Sequence, residues 1–406
     1  VSEAYKIVKT WDNTTLRDAP DTDLYPLSVP AHVLPSETIP FGAEQRRLLY
    51  TTEAGDVAGH FPAYSSQRRE LLQDAANADW LRDERPYTYR AVEARERIDD
   101  LLLPTPLMEA NALIDQDVAL FLKPEFRQRL RSFKIRGAAN AIRRLGSDEH
   151  DTIATVSAGN HAQGVAYAAR EAGKKAVVYM SELASDVKIS AVRELGASVV
   201  LVGKSYDESY AAYGKDHVDQ PEPLFIHPFD NFAVTTGAST QVLEVHEEQP
   251  RLDVAYMAVG GGGQFAASSA VMHELYGEGI EPVGVQLVGA NAMQQSLKQK
   301  RLVELGKVNG FSDGTAVARA GEIPFDILSQ QGRGVRIVSV TEKQLAQAMI
   351  DLQNFTGEPV EAAGALPLAG ARQEKARLAG RRVCLFISGG NRSDASYARA
   401  LELAAA

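Results

Sequence analysis

From about residue 90 onward, short apolar runs alternate with longer stretches in which apolar positions recur every three or four residues. That is the spacing of helices packed on short strands. The runs predict strands over 120–122, 152–157, 176–180, 198–202, 254–259, 283–287 and 383–387. The periodic stretches predict helices over 90–103, 132–145, 160–172, 184–195, 206–217, 232–248, 264–276, 342–355 and 363–375. Ser132 reads as the N-cap of its helix, and Gly173 and Gly196 follow the ends of two others. Strand, turn and helix in alternation imply an α/β fold of parallel sheets with helices on both faces. Residues 1–85 read differently. Prolines at 20, 26, 30, 35, 40 and 62 punctuate them, which predicts a largely irregular extension with one helix near 67–81.

Composition narrows the classes. With 406 residues, 45% hydrophobic and 24% charged, the chain is long enough for two or three domains and a core able to enclose a ligand. A net charge of −10 argues against nucleic acid or an anionic membrane as partner. It leaves room for a small anion held by backbone N–H groups. The single cysteine, Cys384, lies in an apolar run and reads as a buried core thiol. No apolar run approaches the ~20 residues of a membrane span, and the first 15 residues have no signal-peptide core, so a cytoplasmic location is expected. No group of His, Cys and carboxylate residues has metal-ligand spacing, so no metal site is expected.

Four short motifs carry candidate chemistry. Lys134, in Ser132-Phe133-Lys134-Ile135-Arg136-Gly137-Ala138, opens a helix, where a cation opposes the helix dipole. Such a site suits an amine that must lose its charge and act as nucleophile and base; alone, a solvated lysine is the more ordinary explanation. Ser157-Ala158-Gly159-Asn160-His161 turns from a strand into a helix and offers N–H groups and small side chains to a carboxylate. Gly260-Gly261-Gly262-Gly263 joins a strand to a helix, an arrangement that brings backbone N–H groups close to a phosphate. It lacks the spacing of a dinucleotide fingerprint and the Lys-Ser/Thr of a nucleotide loop. Ser388-Gly389-Gly390-Asn391 ends the last strand and places a hydroxyl there.

Together and in this order, the four motifs resemble the fold-type II pyridoxal-phosphate enzymes, above all the threonine and serine dehydratases, with serine racemase as a near relative. The resemblance runs from about 101 to 400. It includes Pro104-Thr105-Pro106-Leu107, Lys123-Pro124-Glu125, His227-Pro228-Phe229-Asp230, Asp313-Gly314-Thr315-Ala316-Val317 and Val360-Glu361-Ala362-Ala363-Gly364-Ala365. It implies a tryptophan synthase β-like architecture: two doubly wound parallel-sheet domains with pyridoxal 5'-phosphate between them. The small domain would be 131–235 and the large one 86–130 with 236–406. It also implies roles. Lys134 is the Schiff-base lysine, Phe133 packs on the cofactor ring and Asn160 bonds the ring hydroxyl oxygen. Gly260, Gly261, Gly262 and Gly263 hold the phosphate, Glu361 lies near the ring, and Ser388 meets the pyridine nitrogen. Ser157, Ala158, Gly159, Asn160 and His161 hold the substrate carboxylate.

The implied reaction is β-elimination of a β-hydroxy amino acid such as L-threonine to a 2-oxo acid and ammonia, in a homo-oligomer (dimer or tetramer). Ala158 stands where racemases of this type have serine, which disfavours racemisation. Gln286 in Gly284-Val285-Gln286-Leu287 replaces the glutamate of a divalent-cation site known in some relatives. The chain also departs from the common pattern. Arg127, Arg129 and Arg131 crowd the run before Lys134, with Arg131 where glycine is usual, and Gly237-Ala238-Ser239-Thr240 replaces Gly-Gln-Gly-Thr. The stop soon after Ser388 implies no C-terminal regulatory domain. The competing readings are a β-replacement synthase working through an aminoacrylate, and a scaffold that binds cofactor without turnover. Retention of Lys134 argues against the scaffold.

Overall fold

The structure is a computed structural model. It describes residues 85–405 apart from 115–116, 147–149, 218–222 and 332–335, together with four two-residue strands nearer the N-terminus. Those four form two antiparallel ladders: β1 (Ile7–Val8) with β2 (Leu24–Tyr25), and β3 (Thr51–Thr52) with β4 (Gly55–Asp56). The helix expected over 67–81 lies outside the described residues.

Two further sheets organise the rest. The smaller comprises β7 (Thr152–Val156), β8 (Lys175–Met180), β9 (Ser198–Leu201) and β10 (Leu224–Phe225), in the order β10-β7-β8-β9 and parallel throughout. The larger comprises β5 (Met108–Glu109), β6 (Ala119–Pro124), β11 (Val254–Ala258), β12 (Glu281–Leu287), β13 (Arg336–Val340) and β14 (Arg382–Ile387). Its order is β13-β12-β11-β14-β6-β5, and only β5 runs antiparallel to its neighbour.

Successive side chains of a strand point to opposite faces. On β11, Val254, Tyr256 and Ala258 enter one apolar core while Ala255 and Met257 enter another. On β14, Val383, Leu385 and Ile387 face the first core, and Cys384 and Phe386 the second. Both faces are therefore dry, which explains why these strands read as unbroken apolar runs rather than alternating ones. The Ala362–Gln373 helix covers one face of the large sheet, and the Gly263–Tyr276 helix the other. A third core lies around the small sheet and the Lys134–Arg143 and Asn160–Glu171 helices.

Several elements differ from the sequence expectation. The Tyr87–Ile98 helix starts before Arg90 and gives way to a 3-10 turn over Asp99–Leu101. Strands β5, β10 and β13 and the helices Ala292–Gln299, Glu322–Gln330 and Asp394–Ala405 were not expected. β5 and β10 are two-residue edge pairs, too short for any periodicity to register. β13 has only one fully buried residue, Val340, so its apolar signal is weak. Ser132 is not the N-cap residue. The helix begins at Lys134 with Phe133 in the cap position, while Ser132 accepts the Lys134 N–H at 3.3 Å and bridges to Gly389 of the large sheet. That tertiary bridge holds Ser132 outside the helix.

Candidate active site

The loops leaving the carboxyl ends of β6, β7, β10, β11 and β14 meet in one cleft, the place where open parallel sheets bind ligands. Lys134 is the first residue of its helix and is half-buried there. Its Nζ donates to the Pro228 carbonyl at 2.9 Å and stands 5.2 Å from the centre of the Phe133 ring. Burial lowers its pKa to about 8, with Glu361 acting in the opposite direction. Phe133, Lys134, Gly137, Pro228, Val234, Ala238, Gly263 and Gln264 line a small recess beside this amine.

The glycine run forms a second wall. A β-carbon at Gly261 would lie 2.3 Å from the Phe229 ring, and one at Gly262 would lie 2.5 Å from the Met293 methyl. Gly262 also has φ +99°, a conformation open to glycine at little cost. Glycine is thus required by close approach as well as by backbone shape. No acceptor among the described residues takes the N–H groups of Gly261, Gly262, Gly263 or Gln264. Those donors open the Gly263–Tyr276 helix and form a ready anion nest. Thr315 and Gly314 close in behind Gly260, whose β-carbon would come within 3.0 Å of the Thr315 Cα.

The opposite wall comes from the small sheet. Ser157 accepts the Gly159 N–H at 3.2 Å, and nothing lies within 4 Å of where a Gly159 β-carbon would be, so this turn faces open space. Asn160 donates from Nδ2 to both oxygens of Glu361, at 2.9 and 3.0 Å, and its Oδ1 accepts from Asn391 at 2.8 Å. These bonds join a turn of the small sheet to the turn after β14 and to the start of the Ala362–Gln373 helix that covers the large sheet. Burial raises the pKa of Glu361, against the Asn160 hydrogen bond and the nearby Lys134 amine. Ser388 is buried at the end of β14, and its carbonyl accepts the Phe133 N–H at 3.1 Å.

The structure therefore brings together Phe133, Lys134, Asn160, the four glycines, Glu361 and Ser388. Ser157, Ala158 and Gly159 lie on the same rim, half-buried. His161 is turned away. Its Nε2 donates to the Ile226 carbonyl at 3.0 Å inside the small unit, and burial lowers its pKa to about 3. Only its backbone N–H is left for the cleft.

Several contributors had no role in the sequence reading: the Pro228 carbonyl, the Phe229 ring under the glycines, Gln264, and Asn391 behind Asn160. The first two lie in His227-Pro228-Phe229-Asp230, which carried a resemblance but no chemistry a spacing argument could recognise. His227 shapes that turn by accepting the N–H groups of Phe229 (3.3 Å) and Asp230 (2.8 Å) on Nδ1. Asp230 in turn accepts from the first backbone N–H groups of the Glu322–Gln330 helix.

A buried ionic cluster anchors the Lys134 helix from below. Arg136 is fully buried and donates to both oxygens of Glu125 at 2.8 Å and to Glu244 at 2.5 and 3.0 Å. Lys123 completes it by donating to Glu244 and to the Thr105 carbonyl. Arg136 and Lys123 hold the Glu244 carboxyl down to about 2 despite its burial. Lys123 and Glu125, known from the sequence only as part of a pattern, are thus joined to the lysine helix through Arg136.

These surroundings suit pyridoxal phosphate. The amine is partly desolvated, the unclaimed N–H groups form a nest, the Phe133 ring stands beside the amine, and a hydroxyl rather than a carboxylate ends β14. A family model described as pyridoxal-phosphate dependent enzyme matches residues 98–389. The chain is 32% identical to a biosynthetic L-threonine dehydratase of Halalkalibacterium halodurans over 308 residues, covering 73% of this chain and 72% of that protein. It is 34% identical to an L-threonine ammonia-lyase of Geobacter sulfurreducens over 312 residues, covering 75% of each. The processed form of threonine deaminase isoform 2 from Solanum lycopersicum superposes with a TM-score of 0.72 at 29% identity, covering 85% of this chain and 95% of that one. With the amine, the glycine nest and the two parallel sheets in agreement with this match, the chain belongs to the pyridoxal-phosphate dependent enzymes of fold type II and is a lyase.

Proposed function

We propose that this enzyme converts L-threonine, or a similar β-hydroxy amino acid, to a 2-oxo acid and ammonia. The observation that carries this reading is the half-buried Lys134 amine, lowered to about 8, standing between the glycine nest and the Asn160–Glu361 wall. When bound, pyridoxal phosphate supplies the aldehyde that takes an amine and the ring that accepts electrons from Cα. The N–H groups of Gly260 to Gly263 would hold its phosphate, and Phe133 would pack against its ring. Asn160, tied to Glu361 and Asn391, would stand toward its ring oxygen, and the Ser388 hydroxyl would meet its ring nitrogen.

The free N–H groups at the start of the Asn160–Glu171 helix, with Ser157, Ala158 and Gly159, hold the substrate carboxylate. This orients the Cα–H bond toward Lys134. The Lys134 Nζ would take the Cα proton and deliver a proton to the β-hydroxyl as the Cβ–O bond breaks, so that water leaves. Hydrolysis of the released enamine returns that water and yields the 2-oxo acid and ammonia. The Ser388 hydroxyl, unlike a carboxylate, would not keep the ring nitrogen protonated, which would favour rapid elimination. Ala158 brings no acid–base group to the face opposite Lys134, so racemisation is not favoured.

We further read 131–235 as a small domain set between the two parts of a large domain, 86–130 and 236–406. The support is that all strands of the smaller sheet fall between 152 and 225. Among the described residues no helix is long and apolar enough to cross a membrane. A cytoplasmic homo-oligomer, dimer or tetramer, fits this reading.

The test is an assay for ammonia and 2-oxo acid on purified, cofactor-loaded protein with L-threonine, L-serine and threo-3-hydroxyaspartate. Turnover of at least one, reduced about 10³-fold in Lys134→Ala, is the expected result. Absence of ammonia from all three, followed by product formation once a second nucleophile is added, would replace it with β-replacement.

A further inference from the structure

Arg131 is one of three non-glycine residues with positive φ among the described residues, at +54°, and it lies three positions before Lys134. A side chain is strained there, and strain of this kind persists where the surroundings impose it, most often at functional sites. Its surroundings show what it holds. The Arg131 carbonyl accepts the Gly390 N–H at 2.8 Å, while its Nη2 donates to the Pro359 carbonyl at 3.2 Å. The residue thus clasps the turn after β14 and the turn between the Glu342–Thr356 and Ala362–Gln373 helices at once.

The turns are packed tightly between these contacts. A β-carbon at Gly390 would lie 2.5 Å from the Pro359 carbonyl oxygen and 2.8 Å from Arg131 Nη2. One at Gly389 would lie 2.5 Å from Glu361 Oε1 and 3.1 Å from the Arg131 carbonyl oxygen. Glu361 is tied into the same stack by its own N–H, which donates to the Gly389 carbonyl at 3.1 Å. A second arginine acts on the same turn: Arg127 Nε donates to Glu358 at 2.7 Å. Arg129, between them, does something else, donating to the Leu101 carbonyl at 3.2 Å.

We propose that Arg131, assisted by Arg127, is a positioning residue that seats the 358–361 turn so that Glu361 meets Asn160 across the cleft. The inference rests on the β-elimination reading for its catalytic consequence, but not for its structural one. Glycine adopts positive φ freely and keeps the backbone bond to Gly390, so Arg131→Gly removes the guanidinium and the strain together. Function and stability should then move in different directions.

The experiment compares parent, Arg131→Gly, Arg131→Lys and Arg127→Ala by amide hydrogen exchange, melting temperature and steady-state kinetics. Arg131→Gly is expected to keep or raise the melting temperature. It should speed exchange of the 360–362 amides about tenfold and lower kcat about tenfold with KM changed less than about threefold. Arg131→Lys, which keeps a donor, should recover part of both losses, and Arg127→Ala should show a smaller loss of the same kind. Unaltered exchange over 360–362 in Arg131→Gly would overturn the proposal. So would a kcat within about twofold of the parent, or a fall in melting temperature matching the loss of activity, which would mark ordinary packing. If the parent shows no turnover with any β-hydroxy amino acid, the elimination reading fails, and the exchange data alone decide whether Arg131 seats the turn.

Discussion

At the residue scale, placement decides what each group can do. Lys134 is unremarkable by composition, yet at a helix start, partly out of water and bonded to a carbonyl, its amine is neutral over an accessible pH range. Its charged form is disfavoured, so reactivity should rise with pH and level off above about 8 rather than above the usual lysine range. The pH dependence of reductive methylation of Lys134 in the cofactor-free protein checks this; a midpoint near 10 would contradict it. Gly261 faces a different constraint, because its β-carbon would strike the Phe229 ring. Gly261→Ala should cost about 1–3 kcal/mol through overpacking and weaken cofactor binding, read from a denaturant titration and from equilibrium dialysis of pyridoxal phosphate. A variant as stable and as well loaded as the parent would show that Phe229 can move aside.

At the scale of elements, the lysine helix is held by what lies beneath it. Arg136 pairs with two carboxylates and is itself fully buried, so a neutral replacement leaves both Glu125 and Glu244 short of their partner. Arg136→Met should destabilise by about 3–5 kcal/mol, seen as a lower urea midpoint. Replacing all partners with apolar groups of similar volume should cost far less, because the penalty comes mainly from the stranded charge. The Glu342–Thr356 helix offers a simpler case. Thr341 and Gln344 form a reciprocal capping box, and the helix ends at Gly357 with φ +71°. Thr341→Ala should cost about 1 kcal/mol with activity unchanged; loss of activity would show that this distant cap couples to the cleft.

At the scale of the molecule, two parallel sheets turn the carboxyl ends of their strands toward one cleft, and the Asn160–Glu361 contact joins them across it. The buried histidines behind that cleft make stability depend on pH. His161 and His227 are lowered to about 3 by burial and by Lys134, against about 6.5 in an unfolded chain. Between these values the unfolded chain binds more protons, so stability should fall as pH drops from about 6.5 toward 3. Glu244 acts in the same direction at lower pH, its contribution lost as pH falls from the usual carboxylate range through about 2. Glu361 and Glu274, whose pKa values are raised by burial, act in the opposite direction. Urea unfolding at a series of pH values checks the balance, and His161→Asn should flatten the slope between pH 6 and 4. An unchanged slope would mean that His161 is not neutral in the folded protein.

Much of this was legible along the chain. The apolar runs of β7, β8, β11, β12 and β14 and the periodic stretches after them determined a parallel α/β architecture, because strands buried on both faces have no polar positions to alternate. Lys134, the glycine run and the Ser388 turn announced themselves because each follows a strand or opens a helix, where local spacing carries the chemical meaning. What the chain order did not disclose depends on contacts between residues far apart in sequence. Asn160 reaches Glu361, 201 positions away. Arg131 reaches Pro359, and Arg136 gathers Glu125 and Glu244. The Ser132 bridge to Gly389 displaced the expected helix cap for the same reason. Local pattern determined which elements form and which residues have reactive groups. Tertiary packing alone decided which of those groups face one another and how far each is desolvated, and therefore which lysine stands partly out of water beside the glycine run and which histidine is part of the core.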